Sequence, residues 1–324
     1  MSDYSEVMLA KLNPEAKLPA DVYIFLNGKH VKFKEKGDTL SQEKYDLFLA
    51  KNVKSIYVES EHILEFLEWI SDQKEEDIED MVKNAGEENR GLIEDSLEMK
   101  EKVYEVFSDE KLTPEKVEAI QENVRDFVDK IKSDPITAQA IEAIMKRNDD
   151  IAAHSINVAN LAVFLGMAVG HGHSFVLENL YMGSIFHDYG KAKIPPEIYN
   201  NLEHPDYAKW INDHPENSVK IISKSEGIPD QVFNIMLQHH EYYDGSGYPS
   251  GLRGSNIYSL AQIVSMANEI DNLLTKTKDE EDEIRYKKVI DMLTLGDGTK
   301  WDPKFFPRVT QAFKVGFLGD QKLT

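Results

Sequence analysis

Five histidines and one aspartate between positions 154 and 240 of this 324-residue chain are of the types that hold metal ions: His154, the pair His187-Asp188, His214 and the pair His239-His240. Neutral imidazoles and a carboxylate suit divalent transition metals, and this many donors exceed what a single ion takes. The set points to two ions sharing Asp188, whose two oxygens can bridge. A hydroxide held between paired ions is a strong nucleophile for in-line attack at a phosphodiester. Asp188 also closes an apolar helix, where an unpaired carboxylate is costly and a cation is the natural partner. Taken singly, the residues have plainer readings: His154 shares a helical face with Val158, Leu161 and Leu165, as a core histidine would.

The elements that must bring these residues together are helices. Apolar helical spacing runs through 136–147, 150–169, 175–187, 206–224, 229–241, 258–275 and 284–294 without strand alternation, which predicts an all-α domain. The first half reads differently. Alternating Val22, Ile24 and Leu26, then Asn27-Gly28, then Val31 and Phe33 predict a hairpin. A short helix (SQEKYDLFLAKN), a strand (VKSIYVES) and a helix (EHILEFLEWI) follow, giving a small α/β module with no reactive constellation. Between them, 73–132 is charge-rich and helical, with breaks at Ala85-Gly86 and Thr113-Pro114. Its composition reads as a solvated amphipathic linker, or as a coiled-coil contact in a homodimer. The expected division is therefore 1–112, an N-terminal α/β regulatory or interaction domain with helical linker, and 113–324, an all-helical domain.

A formal net charge of −21 argues against a nucleic-acid polymer or an anionic membrane as partner. The absence of cysteine excludes disulfides, thiolate nucleophiles and zinc-thiolate sites. The start, MSDYSEVMLAKLNPEAKLP, has no basic region followed by an apolar run, and no spanning apolar stretch is read elsewhere, so a cytoplasmic location is expected.

In order and spacing, His154-Ser155, His187-Asp188 with Gly190-Lys191, His214-Pro215, the string HHEYYDGSGYP at 239–249 and Trp301-Asp302-Pro303 resemble the HD-GYP family of HD-superfamily phosphodiesterases, over about 135–315. The resemblance implies an all-helical domain with two or three metal ions, often iron or manganese, that hydrolyses cyclic di-GMP to pGpG or GMP. It assigns His154, His187 and Asp188 to one metal, and Asp188, His214, His239 and His240 to the other. It makes Asp188 and Lys191 catalytic, with Lys191 on a substrate phosphate. Asp244, Gly247 and Tyr248 become substrate-side residues of the GYP loop, and Asp150, one turn before His154, a ligand to any third metal.

Two departures bear on activity. The family's ADxxDAL helix reads ANEIDNL here, so the expected aspartate ligand is Asn268 by position, or Asp271 by chemistry one turn on. An amide oxygen is a poorer ligand than a carboxylate. The RPY segment that follows is replaced by an acidic stretch, with Arg285-Tyr286 as its displaced remnant and substrate-binding candidate, and Gln262 stands where many members have arginine. The alternative to an enzyme is thus a catalytically weak or inactive receptor that binds a cyclic dinucleotide or a protein partner, partners being recruited through the N-terminal domain. His204-Pro205 competes with His214-Pro215 by type, but lies in a polar loop. His171 and His173 read as an interhelical turn, and His30 and His62 as chemically idle.

Overall fold

The computed structural model describes residues 3–50, 53–109, 112–145 and 151–319. They form two compact units, Met1–Lys83 with Pro195–Asn201, and Asn84–Ile194 with Leu202–Thr324.

The first unit is built on an antiparallel sheet of β1 (Tyr4–Met8), β2 (Val22–Leu26), β3 (Lys29–Lys34) and β4 (Ser55–Glu59), in the order β1-β4-β2-β3. Asn27 and Gly28 both adopt positive φ, the turn geometry that matches strand twist in a two-residue hairpin. Val7, Val22, Ile56 and Val58 are buried in one core with Tyr45 of α1 (Gln42–Ala50) and Phe66 of α2 (Ile63–Ala85). Strand β1 was not among the sequence expectations. Only Val7 in it is fully buried, so its alternation is too short to read, and its pairing with β4 supplies what the local pattern lacks.

The second unit is helical throughout its described residues: α3 (Arg90–Ser108), α4 (Pro114–Ser133), α5 (Ala138–Met145), α6 (Ile151–Ala168) and α7 (Ser174–Phe186). After the short α8 (Pro196–Tyr199), which falls in the first unit, come α9 (Tyr207–Ile222), α10 (Asp230–Gln238), α11 (Ser259–Lys276), α12 (Asp282–Gly296) and α13 (Phe306–Phe313). Helix α6 packs against α3, α7 and α11, and α7 against α4 and α10.

The linker reading of 73–132 is corrected here. Leu92, Ile93, Met99, Val103 and Phe107 of α3, and Val117, Ile120, Val124, Phe127 and Ile131 of α4, are buried. Charge fills the outward faces of both helices, while their apolar stripes complete the helical unit, so the first unit ends at Lys83 rather than at 112. Both expected breaks are present, at Gly86 with φ of 99° and at Pro114 in the first turn of α4. Helix α6 is by length and composition long and apolar enough to cross a membrane, contrary to the expectation of no such stretch. Its length is 72% buried inside the protein, as a core helix is.

Candidate metal centre

All of the candidate ligands but His214 are held at or near a helix end. His187 is the residue that ends α7, and the turn after it carries Asp188. His239 ends α10, with His240 next. His154 lies in the first turns of α6, and His214 sits inside α9, immediately before Pro215. The chain folds tightly around the His187-Asp188 turn. A Cβ on Gly190 would lie 2.4 Å from the His214 carbonyl oxygen, so only glycine lets α9 approach. Ser218 closes the same contact: its Oγ accepts from the Gly190 amide at 2.7 Å and donates to the His187 carbonyl at 3.1 Å.

The donor atoms converge on Asp188. Its Oδ1 lies 3.0 Å from His214 Nε2 and 3.7 Å from His239 Nε2, and its Oδ2 lies 3.4 Å from His187 Nε2 and 3.6 Å from His154 Nε2. Two groups of possible metal ligands result, His154, His187 and Asp188 on one side, and Asp188, His214, His239 and His240 on the other, with donor atoms within 4.8 Å of one another in each group. His187, His214 and His239 are buried, His154 and His240 half-buried, and Asp188 is 2% exposed.

The tautomers follow from the neighbours. Nδ1–H of His187 donates to the Ser184 carbonyl at 2.6 Å, that of His214 to Ile211 at 2.5 Å, and that of His239 to Met236 at 2.7 Å. In the neutral ring each Nε2 is then a bare lone pair. His214 Nε2 and His239 Nε2 face each other at 3.3 Å, and the buried Nε2 atoms of His187 and His240 have no hydrogen-bond partner. Lone pairs aimed at one another beside a carboxylate repel unless a cation lies among them, so the residues fit metal ions.

Protonation preferences agree for His187, His239 and His240. Burial lowers the pKa of His239 to about 4 and pushes those of His187 and His240 well below the usual histidine value. Burial acts on His154 in the same direction, but the hydrogen bonds its ring donates to Asp188 and Asp271 outweigh it and raise its pKa to about 9. For Asp188, burial raises the pKa, and His187, Lys191, His154 and His214 overcome it, holding the carboxylate well below its ordinary range.

Other expected residues are placed as follows. Lys191 Nζ reaches Asp188 Oδ2 at 2.8 Å, at the edge of the cluster. The Tyr248 ring stacks on His240, centroids 4.6 Å apart. Gly247 is fixed by crowding, since a Cβ there would lie 2.3 Å from the His240 carbonyl oxygen and from the Tyr242 amide nitrogen. Asp244 is exposed and its Oδ1 accepts from the Ser246 amide and hydroxyl, so it shapes the loop turn rather than lining the cluster. Arg285 donates to Asp282 at 2.7 Å and to the Leu274 carbonyl at 3.0 Å, joining α12 to the end of α11. Asp150 lies outside the described residues.

Neither α11 alternative falls in the two donor groups. Asn268 Oδ1 accepts from Asn272 Nδ2 at 2.8 Å. Asp271, 1% exposed, accepts from His154 Nδ1 at 2.6 Å through Oδ2 and from Asn157 Nδ2 at 3.1 Å through Oδ1. It thus stands behind a ligand, orienting the His154 ring so that Nε2 faces Asp188. Gln262, in the position of a family arginine, accepts from the Asp302 amide.

Sequence reasoning missed several supports. Glu241 is buried and takes the amides of Ser250 at 2.6 Å and Leu252 at 2.8 Å, clamping the GYP loop beside its two histidines. Its place inside the string 239–249 was the available signal. Asn157 and Ser218 carried none, because their partners lie far away in sequence. His204 accepts from the Asp206 amide within its own loop.

Residues 130–305, more than half of the chain, match the family model described as HD domain. The chain belongs to the HD domain family. With its GYP loop at 247–249 it is of the HD-GYP type. It is 28% identical over 174 residues to a cyclic di-GMP phosphodiesterase of Pseudomonas aeruginosa, covering 52% of this chain and 40% of that protein. It is 31% identical over 174 residues to a 3'3'-cGAMP-specific phosphodiesterase of Vibrio cholerae, covering 52% and 32%. The chain therefore spans less than half the length of either relative. Among solved structures it shares the fold of Bd1817, an HDG"Y"P protein from Bdellovibrio bacteriovorus, with a TM-score of 0.64 and 22% identity over 96% of this chain and 100% of that one.

Proposed function

We propose that this protein is a metal-dependent phosphodiesterase acting on a cyclic dinucleotide, with cyclic di-GMP as substrate and pGpG or GMP as product. The observation that carries this reading is the pair of donor groups sharing Asp188, with buried Nε2 atoms of His187 and His240 that make no hydrogen bond. His154, His187 and Asp188 hold one ion, and Asp188, His214, His239 and His240 the other. Iron or manganese suits such a nitrogen and oxygen set. Bound there, the ions supply Lewis-acid chemistry, neutralising phosphate charge and acidifying water.

The chain's own residues do the rest. Lys191 meets a non-bridging phosphate oxygen and offsets the charge that develops on it as the bond to the leaving oxygen breaks. Tyr248, held against His240, and Gly247 wall the substrate side, and Glu241 keeps that wall in place. The first unit, where Glu59, Glu61 and His62 lie together but none of them is buried, regulates the site or recruits protein partners.

Asn268 and the engaged Arg285 favour a second reading, a receptor that binds the dinucleotide without turnover. Anaerobic incubation of iron- or manganese-loaded protein with cyclic di-GMP and, separately, with 3'3'-cGAMP distinguishes these. Linear product from either is the expected result. Saturable binding with no product after prolonged incubation supports the receptor, and neither binding nor product overturns both.

A further inference from the structure

A proline inside a helix usually weakens it, removing one backbone hydrogen bond and crowding the carbonyl four residues earlier. Pro215 lies inside α9, which continues to Ile222, and the carbonyl it leaves without a donor is that of Ile211. That oxygen is the one that accepts Nδ1–H of His214, at 2.5 Å. His187 and His239 do the same with Ser184 and Met236, three residues before each of them. Those two carbonyls belong to the last turns of α7 and α10, where helical donors run out in any helix.

Helix α9 cannot end at His214 in that way. One turn further on, Ser218 must reach the Gly190 amide and the His187 carbonyl, the contacts that hold α9 against the His187-Asp188 turn. The helix has to continue while one of its interior carbonyls stays open. Proline at 215 meets both demands.

We propose that Pro215 is a positioning residue: by vacating the Ile211 carbonyl it fixes the Nδ1–H tautomer and the ring orientation of His214, leaving Nε2 aimed at Asp188 and His239 as a metal ligand. The inference rests on the metal-binding reading above. Restoring an amide at 215 gives Ile211 its helical partner back, and the imidazole then loses its sole orienting acceptor to competition.

The test is Pro215→Ala in the full chain, with Mn2+ affinity measured by chelator competition and the melting temperature measured on metal-free protein. Because alanine suits a helix interior far better than proline, the metal-free variant is expected to melt at or above the wild-type temperature. Its Mn2+ affinity at one site falls about 10-fold or more, the scale of a lost orienting hydrogen bond. Stability and affinity moving in opposite directions is the signature; a merely structural proline would move them together. Wild-type affinity in the variant, or weaker binding accompanied by a lower melting temperature, overturns the proposal. Nitrogen-15 spectra of Zn2+-loaded wild-type protein give an independent check, with His214 protonated at Nδ1 as the expected result and at Nε2 as the contrary one. Wild-type protein that binds no metal overturns both this inference and the reading on which it rests, whereas a metal-binding wild type with an unaltered variant overturns this inference alone.

Discussion

At the scale of single residues, the centre depends on who accepts each imidazole proton. Asp271 does this for His154, and Asn157 fixes which way the acceptor faces, because a carboxylate can only accept and Asn157 must therefore present its NH2. In Asp271→Asn, the new amide turns its oxygen to Asn157 and its NH2 to His154, forcing the proton onto Nε2. Metal affinity at the His154 site is expected to fall about 10- to 100-fold, as calorimetric titration will read. Adding Asn157→Asp reverses the amide and should recover most of the loss; a double variant no better than the single one would refute the tautomer argument. Protonation also shapes stability when metal is absent. His187, His239 and His240 stay neutral in the fold although the unfolded chain takes up protons near pH 6.5, so stability drops as pH falls from 6.5 toward about 4. His154, raised to about 9, contributes stability that is whole below pH 6.5 and is lost as pH climbs toward 9. From these groups the melting temperature of chelator-treated protein peaks near pH 6.5, and a steady rise from pH 6.5 to 9 would contradict the assignment.

At the scale of elements, the GYP loop is a rigid wall because Glu241 binds two of its amides and residues 299–300 bind two more, through Tyr243 and Asp244. Replacing Glu241 with alanine strips a buried carboxylate from two amides and is expected to cost about 2–4 kcal/mol. Loss of hydrogen-exchange protection at Ser250 and Leu252, with Gly183 in α7 unaffected, is the measurement; uniform loss across both would mean a global effect. The residues of the two donor groups were legible in the sequence as candidates, since His-Asp, His-Pro and the string 239–249 are local patterns whose chemistry depends on residue type. The helices that carry them were legible from apolar spacing, down to Pro114 and Gly86 at two breaks. What stayed hidden is long-range. The burial of α3 and α4 depends on which face meets α6 and α7, strand β1 on a partner far along the chain, and α13 on aromatic contacts such as Phe313 with Tyr286. For the same reason the sequence left Asn268 and Asp271 as alternatives, because the bond from His154 Nδ1 to Asp271 joins residues far apart in the chain.

At the scale of the whole molecule, the helical unit begins at Asn84, so α3 is part of the fold that holds the centre. Removing residues 1–112 deletes the buried face from Leu92 to Phe107 that packs on α6. That truncation is expected to lose cooperative unfolding and metal binding, whereas removal of 1–83 spares both; equal behaviour of the two in thermal denaturation would place α3 outside the folded unit. The central claim is that imidazoles from α6, α7, α9 and α10 share Asp188 around paired cations. Elemental analysis of the purified protein and of His187→Ala and His239→Ala tests it most directly. The account predicts about two metal ions per chain in the wild type and a clear loss in each variant; a count that neither substitution changes would contradict it.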